Sequence, residues 1–188
     1  MIDANNPDIW SNKGASLTEI GRHAEALACF DRALALKPTH AVAWANKGHV
    51  LISLGRLSEA VSALQRASEL NPDDPAVWYR MGCALAKMDR HEDAIVSYRN
   101  VVRLDPKGEA AWFNMGHCMG LLGRHEDVIK CCDRALEIDR HFIQIWLLKG
   151  LGLCSTDRFQ EAIPCFQQAE KLGDASAAGH IANCRRML

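Results

Sequence analysis

A cysteine flanked by two histidines, His49, Cys83 and His117, recurs at a fixed step of 34 residues. A thiol between imidazoles is raw material for a base-activated nucleophile or for a zinc site. The step itself argues against both. Equivalent groups on neighbouring packed helices lie about 8–10 Å apart at Cα, so these side chains would have to stretch for contact, and no rigid third group orients them. No catalytic set, metal site or cofactor is expected from this column. The 8 cysteines are Cys29, Cys83, Cys118, Cys131, Cys132, Cys154, Cys165 and Cys184, with no CxxC pair among them. A disulfide needs Cα atoms within about 7 Å, closer than equivalent residues of adjacent copies come, so free thiols in a reducing compartment are expected. A different column offers binding chemistry: Asn12, Asn46, Arg80, Asn114 and Leu148 follow the same step. A carboxamide both donates and accepts hydrogen bonds, so three of them in register can either hold a peptide backbone or simply solvate a helix face.

The elements that carry these columns follow from a stronger signal. Tryptophan stands at positions 10, 44, 78, 112 and 146, and glycine four residues after each, at 14, 48, 82, 116 and 150. Leu17, Leu51, Leu85, Met119 and Leu153 come three residues later again. Spacings of three and four place all of these on one face of a helix. Glycine inside a helix costs about 0.5–1 kcal/mol relative to alanine, so the glycine column marks a close approach by another helix.

A break follows in each copy, written Gly21-Arg22, Gly55-Arg56, Asp89-Arg90, Gly123-Arg124 and Asp157-Arg158. Glycine takes the left-handed conformation that ends a helix, and Asp can take it or cap the next one. A second helix then shows small, large, small: Ala26, Phe30 and Ala33; Ala60, Leu64 and Ala67; Ala94, Tyr98 and Val101. Pro38, Pro72 and Pro106 close three copies, because proline cannot continue a helix. A period of this length means one helical pair copied and stacked, each copy burying a face it could not bury alone.

Composition limits the remaining function classes. With 22 basic and 23 acidic residues and no long run of either sign, the chain has no footprint for tracking phosphates or a membrane surface, so nucleic acid and membrane are not expected partners. No stretch approaches the roughly 20 apolar residues that cross a bilayer, and a polar amino end (Asp3, Asn5, Asn6) lacks the apolar core of a signal peptide. A cytoplasmic protein is expected.

The columns resemble the tetratricopeptide repeat (TPR) pattern, with W and G in the first helix, A, F and A in the second, and a closing P. The resemblance covers residues 7–174 and implies an all-α fold: a right-handed TPR superhelix, an α-solenoid of five helix-turn-helix repeats at 7–40, 41–74, 75–108, 109–142 and 143–174. Residues 175–188 read as a C-terminal capping helix, with Cys184 and Met187 in the glycine and apolar columns. Residues 1–6 align with the tail of a preceding repeat, which points to a fragment of a longer protein and to an open face on the first helix that can pair with another copy. Copy four departs most, with Val128 for the first small residue and Cys132 for the aromatic, and is expected to pack more loosely. Pro164 is expected to bend the last repeat's second helix without breaking it.

In such a superhelix the first helices line a concave groove. Asn12, Asn46 and Asn114 then resemble the asparagine ladder in the TPR region of O-GlcNAc transferases, which holds extended peptides by their backbone. Arg80 adds charge. Tyr79 and Phe113, beside Gly120 and with His117 in the next groove column, frame a pocket for a large apolar side chain; the alternative is that Phe113 and Leu147 pack on neighbouring helices. Leu147, Leu148 and Leu151 form an apolar patch that a ligand, the cap or another chain should cover. A clamp for chaperone tails is not expected, because Ser11, Ala15 and Ala76 stand at three of its five positions and its lysines are missing. The leading reading is a non-catalytic interaction scaffold binding a protein or peptide in the groove. The alternatives are the substrate-recognition region of a larger enzyme such as a protein glycosyltransferase, or a self-assembling adaptor.

Overall fold

The computed structural model describes residues 5–188, and among them the regular elements are α-helices. In order they are α1 (Pro7–Glu19), α2 (His23–Leu36), α3 (Ala41–Ser53), α4 (Leu57–Leu70), α5 (Pro75–Ala86), α6 (His91–Leu104), α7 (Glu109–Leu121), α8 (His125–Ile138), α9 (Ile143–Cys154), α10 (Phe159–Lys171) and α11 (Ala177–Met187). They divide into two compact units, one ending at Arg90 and the other running His91–Leu188. The reading of residues 1–6 as a repeat tail lies mostly outside the described residues; Asn6 serves as the N-cap of α1, accepting from the Asp8 amide at 2.9 Å.

The breaks between first and second helices adopt the left-handed backbone that the Gly and Asp columns implied. Gly21, Gly55 and Gly123 sit at φ 76°, 73° and 71°, and Asp89 and Asp157 at 57° and 58°. Just after four of the breaks the second helix opens with an arginine that turns back onto an acid three residues on. Arg22–Glu25, Arg56–Glu59, Arg124–Asp127 and Arg158–Glu161 close at 2.5–2.8 Å. Each arginine draws its acid's pKa below the ordinary carboxylate range, chiefly through the hydrogen bond.

The tryptophans are half-buried, and four of the indoles join their helix to the turn before it. The N–H of Trp44, Trp78, Trp112 and Trp146 donates to the carbonyl of Pro38, Pro72, Pro106 and Arg140 at 2.8–3.2 Å. The column therefore fixes the angle at which one pair of helices enters the next. The glycine column is sterically required in three of its copies. A Cβ on Gly14 would lie 2.6 Å from the Phe30 ring, one on Gly48 2.6 Å from Leu64, and one on Gly150 2.6 Å from Phe166. In these three repeats the large residue of the second helix thus lies directly on the glycine of its own first helix. In the first unit Phe30, Leu64, Val50 and Leu51 centre the core, and in the second Phe166, Leu153 and Ile145.

Copy four is not loose. Val128 is 1% exposed and Cys132 0%. A Cβ on Gly152 would lie 3.3 Å from Val128 Cγ1, and one on Gly120 3.6 Å from Val128 Cγ2, so two glycines receive the extra methyls. Where Cys132 leaves room, Leu148 of the following helix comes within 3.6 Å of the Gly116 Cβ position, beside Cys131 at 3.1 Å. Helix α10 continues through Pro164 to Lys171. His23, His91 and His125, which open second helices, are half-buried.

Candidate binding surface

In the first unit α1 packs beside α3 and α3 beside α5, so Asn12, Asn46 and Arg80 stand at one register on three adjacent helices. Asn12 is exposed, while Asn46, Tyr79 and Arg80 are half-buried. His49, one turn along α3, is held below the ordinary imidazole pKa by burial, then by the charges of Arg80 and His23. Arg80 and His23 are thus near enough to His49 for their charges to be felt at the imidazole.

The second unit packs α7 beside α9 and carries the remaining expected residues. Asn114 and Phe113 are half-buried and His117 is exposed. The Phe113 ring lies 5.3 Å from that of Phe142, centroid to centroid, and 6.3 Å from His117. Phe113 is thus engaged by the helix entry of the next pair, and Phe142 is a participant that sequence reasoning missed. Its signal was present: it occupies the position just ahead of a first helix, where His40 of the first unit places Nε2 3.0 Å from Asp8. Leu147 packs against the core cluster that includes Ala177, Ile181 and Cys184 of α11. Leu148 leans toward Gly116, and Leu151 remains 44% exposed. The apolar patch is therefore covered in part by the protein itself. Gly120 faces Val128, and Tyr79 and Phe113 belong to different units.

His49 and Cys83 lie in the first unit and His117 in the second. Among the described residues no group of three His, Cys, Asp or Glu side chains is arranged to hold a metal ion. Nor is any helix there long and apolar enough to cross a membrane.

A further surface escaped the sequence reading. Trp10, Lys13, Leu17, Glu25, Cys29 and Arg32 line a cleft of about 400 Å³. Trp44, Lys47, Leu51, Glu59, Ala63 and Arg66 line another of about 520 Å³, one period later. In both, the lysine ammonium lies over the indole, 5.3 and 5.4 Å from its centroid. The recurrence of Lys, Glu and Arg at a step of 34 was the legible clue.

Two profiles described as tetratricopeptide repeat match the chain, one over residues 17–81 and the other over 75–107 and 109–142. The chain belongs to the tetratricopeptide repeat family. No curated protein sequence matches it significantly. Among solved structures, this TPR chain is similar to YrrB, a TPR protein with an unusual peptide-binding site, at TM-score 0.88 and 20% identity over 96% of this chain and 94% of that one. It is similar to MamA at TM-score 0.85 and 19% identity, covering 95% and 96%. MamA from Desulfovibrio magneticus RS-1 gives TM-score 0.82 and 21% identity, covering 92% and 96%. At these identities the likeness establishes a shared TPR fold.

Proposed function

We propose that this TPR chain is a non-catalytic cytoplasmic scaffold that binds an extended segment of a partner protein along the first helices of its repeats. The observation that carries the reading is the register of Asn12, Asn46 and Arg80 across three packed helices, with Tyr79 and His49 beside them. The carboxamides take the segment's backbone, Arg80 takes an acidic group, and Tyr79 rests against a side chain. In the second unit Asn114 plays the same backbone role, with Phe113, His117 and the exposed Leu151 offering apolar contacts beside Leu147 and Leu148. The likeness of the ladder to the asparagines of O-GlcNAc transferase TPR regions supports a grip directed at backbone, and hence tolerant of sequence. That YrrB has a peptide-binding site supports the same class of ligand.

Each ladder bond nets about 0.5–1.5 kcal/mol, so three together account for roughly 10- to 1,000-fold in affinity. The test selects peptides from a random extended library on the wild-type chain. Binding of the selected peptides is then measured by fluorescence anisotropy against Asn12→Ala/Asn46→Ala/Arg80→Ala with an unchanged unfolding midpoint. Loss of at least tenfold supports the reading. Undiminished binding by the variant overturns it and moves recognition to another face.

A further inference from the structure

Helix α11 is held to the second unit by buried contacts. Ala177, Ile181 and Cys184 enter the core cluster with Leu153, Ala162, Cys165, Phe166 and Ala169, and the His180 ring stacks on Phe166 at 4.8 Å between centroids. At the edge of this cluster two thiols meet. Cys154, at the end of α9, and Cys184, on α11, place their Sγ atoms 3.3 Å apart, and both are reduced. A disulfide has its sulfurs about 2.05 Å apart, so a rotamer adjustment and a small settling of α11 bring the pair to bonding distance.

The two cysteines are also unequal in the way that sequential thiol chemistry requires. Cys154 is half-buried, whereas Cys184 is 2% exposed. A reagent from solution therefore reaches Cys154 first, and Cys184 waits behind it. We infer that Cys154 and Cys184 are a disulfide-forming modification site, in which a low-molecular-weight disulfide acts as oxidant and the product is a covalent tie between α9 and α11. The Cys154 thiolate attacks one sulfur of the small disulfide, breaking its S–S bond, forming a mixed disulfide and releasing one small thiolate. The Cys184 thiolate then attacks Cys154 Sγ, forming the protein disulfide and expelling the second small thiolate. Two protein thiols are oxidised by two electrons, their two protons pass to the departing thiolates, and one small disulfide is reduced to two thiols.

Burial, followed by the hydrogen bond and charge of Cys184, pushes the Cys154 thiol up to about 12. Its thiolate is scarce at neutral pH, so the exchange is slow there and quickens about tenfold per pH unit below that value. The site is thus quiet in a strongly reducing pool and responds to sustained oxidation. The tie would fasten the helix whose inner face closes the core cluster of the second unit.

The experiment incubates the whole chain with glutathione disulfide at pH 7 and pH 8.5, quenches by alkylation, and maps disulfides by mass spectrometry. The expected product is a single protein disulfide between the peptides carrying Cys154 and Cys184, with a mass loss of about 2 Da. Dithiothreitol should reverse it, and it should form about tenfold or more faster at the higher pH. Cys184→Ser should stop at a glutathione adduct on Cys154, and Cys154→Ser should leave Cys184 unmodified. Far-ultraviolet circular dichroism of each serine variant verifies folding, and the wild-type map stands independently of them. Glutathione adducts without the cross-link in the wild type, or cross-links that favour other cysteines, overturn the inference.

Discussion

The packing around Val128 permits a quantitative test of how copy four compensates for its departures. Val128 is 1% exposed, and truncation to alanine deletes two methyls, worth about 0.8 kcal/mol each before any cavity term. Val128→Ala should therefore cost about 1.5–3 kcal/mol. Gly152→Ala has two opposed parts. Alanine in a helix interior gains about 0.8–1.0 kcal/mol over glycine, but its Cβ would meet Val128 Cγ1 at 3.3 Å and Ile129 Cγ1 at 3.4 Å. Both neighbours are buried, so relief requires shifts costing about 1–3 kcal/mol, and the single variant should be neutral to about 2 kcal/mol destabilised. With Val128 already truncated the nearer obstruction is gone, and Gly152→Ala should stabilise by about 0.5–1 kcal/mol. The coupling is thus about 1–2 kcal/mol, read from urea midpoints and slopes of the four proteins followed by circular dichroism. Additivity within about 0.5 kcal/mol would refute the reasoning, because Val128 and Gly152 would then not share a space.

Trp78→Phe keeps most of the ring but removes the N–H that holds the Pro72 carbonyl. It should cost about 0.5–1.5 kcal/mol in urea unfolding, against about 3–5 kcal/mol for Trp78→Ala. Asn46→Ala should leave the unfolding midpoint within about 0.5 kcal/mol of wild type; equal loss in Asn46→Ala and Trp78→Ala would show that the ladder face is structural. Glu25, Glu59, Asp127 and Glu161 have folded pKa values depressed by their arginines. The stability they contribute is present above the ordinary carboxylate pKa of about 4 and is lost as pH falls through the lower folded values. A thermal scan from pH 6 to pH 3 should show a midpoint decline that shrinks in high salt, since these pairs are exposed.

The repeat was legible because tryptophan, glycine and the break residues do the same physical work in each copy. A left-handed φ needs Gly or Asp wherever it occurs, and Gly14, Gly48 and Gly150 each meet the large residue of their own second helix. What the columns concealed lies between different columns. The Cys154–Cys184 contact was out of reach because distances had been judged only for equivalent positions, and these two are not equivalent: Cys184 follows the glycine column, while Cys154 stands four places beyond it. Phe142 was overlooked for the same reason, as was the fit of Val128 into Gly120 and Gly152. The ladder residues could be placed by register, but register says nothing about occupancy. An asparagine that holds a backbone and one that holds water obey the same spacing.

The lysines show how far interface chemistry is written in pairs. Lys47 on α3 reaches Asp31 on α2, and Lys149 on α9 reaches Asp133 on α8, both at 2.6 Å. Burial works to lower the Lys149 pKa, yet the hydrogen bond and charge of Asp133 leave it raised. At the equivalent places in the other junctions the second helix carries Gln65 or Arg99 and the first helix carries Met81 or Met115, which are 7% and 4% exposed. A half-buried ammonium is favoured by a carboxylate beside it, whereas a thioether fills the space without a counter-charge. The two solutions therefore change together: an acid on one helix permits a lysine on the next, and its absence calls for methionine. Lys13 occupies the same position on α1, above Trp10.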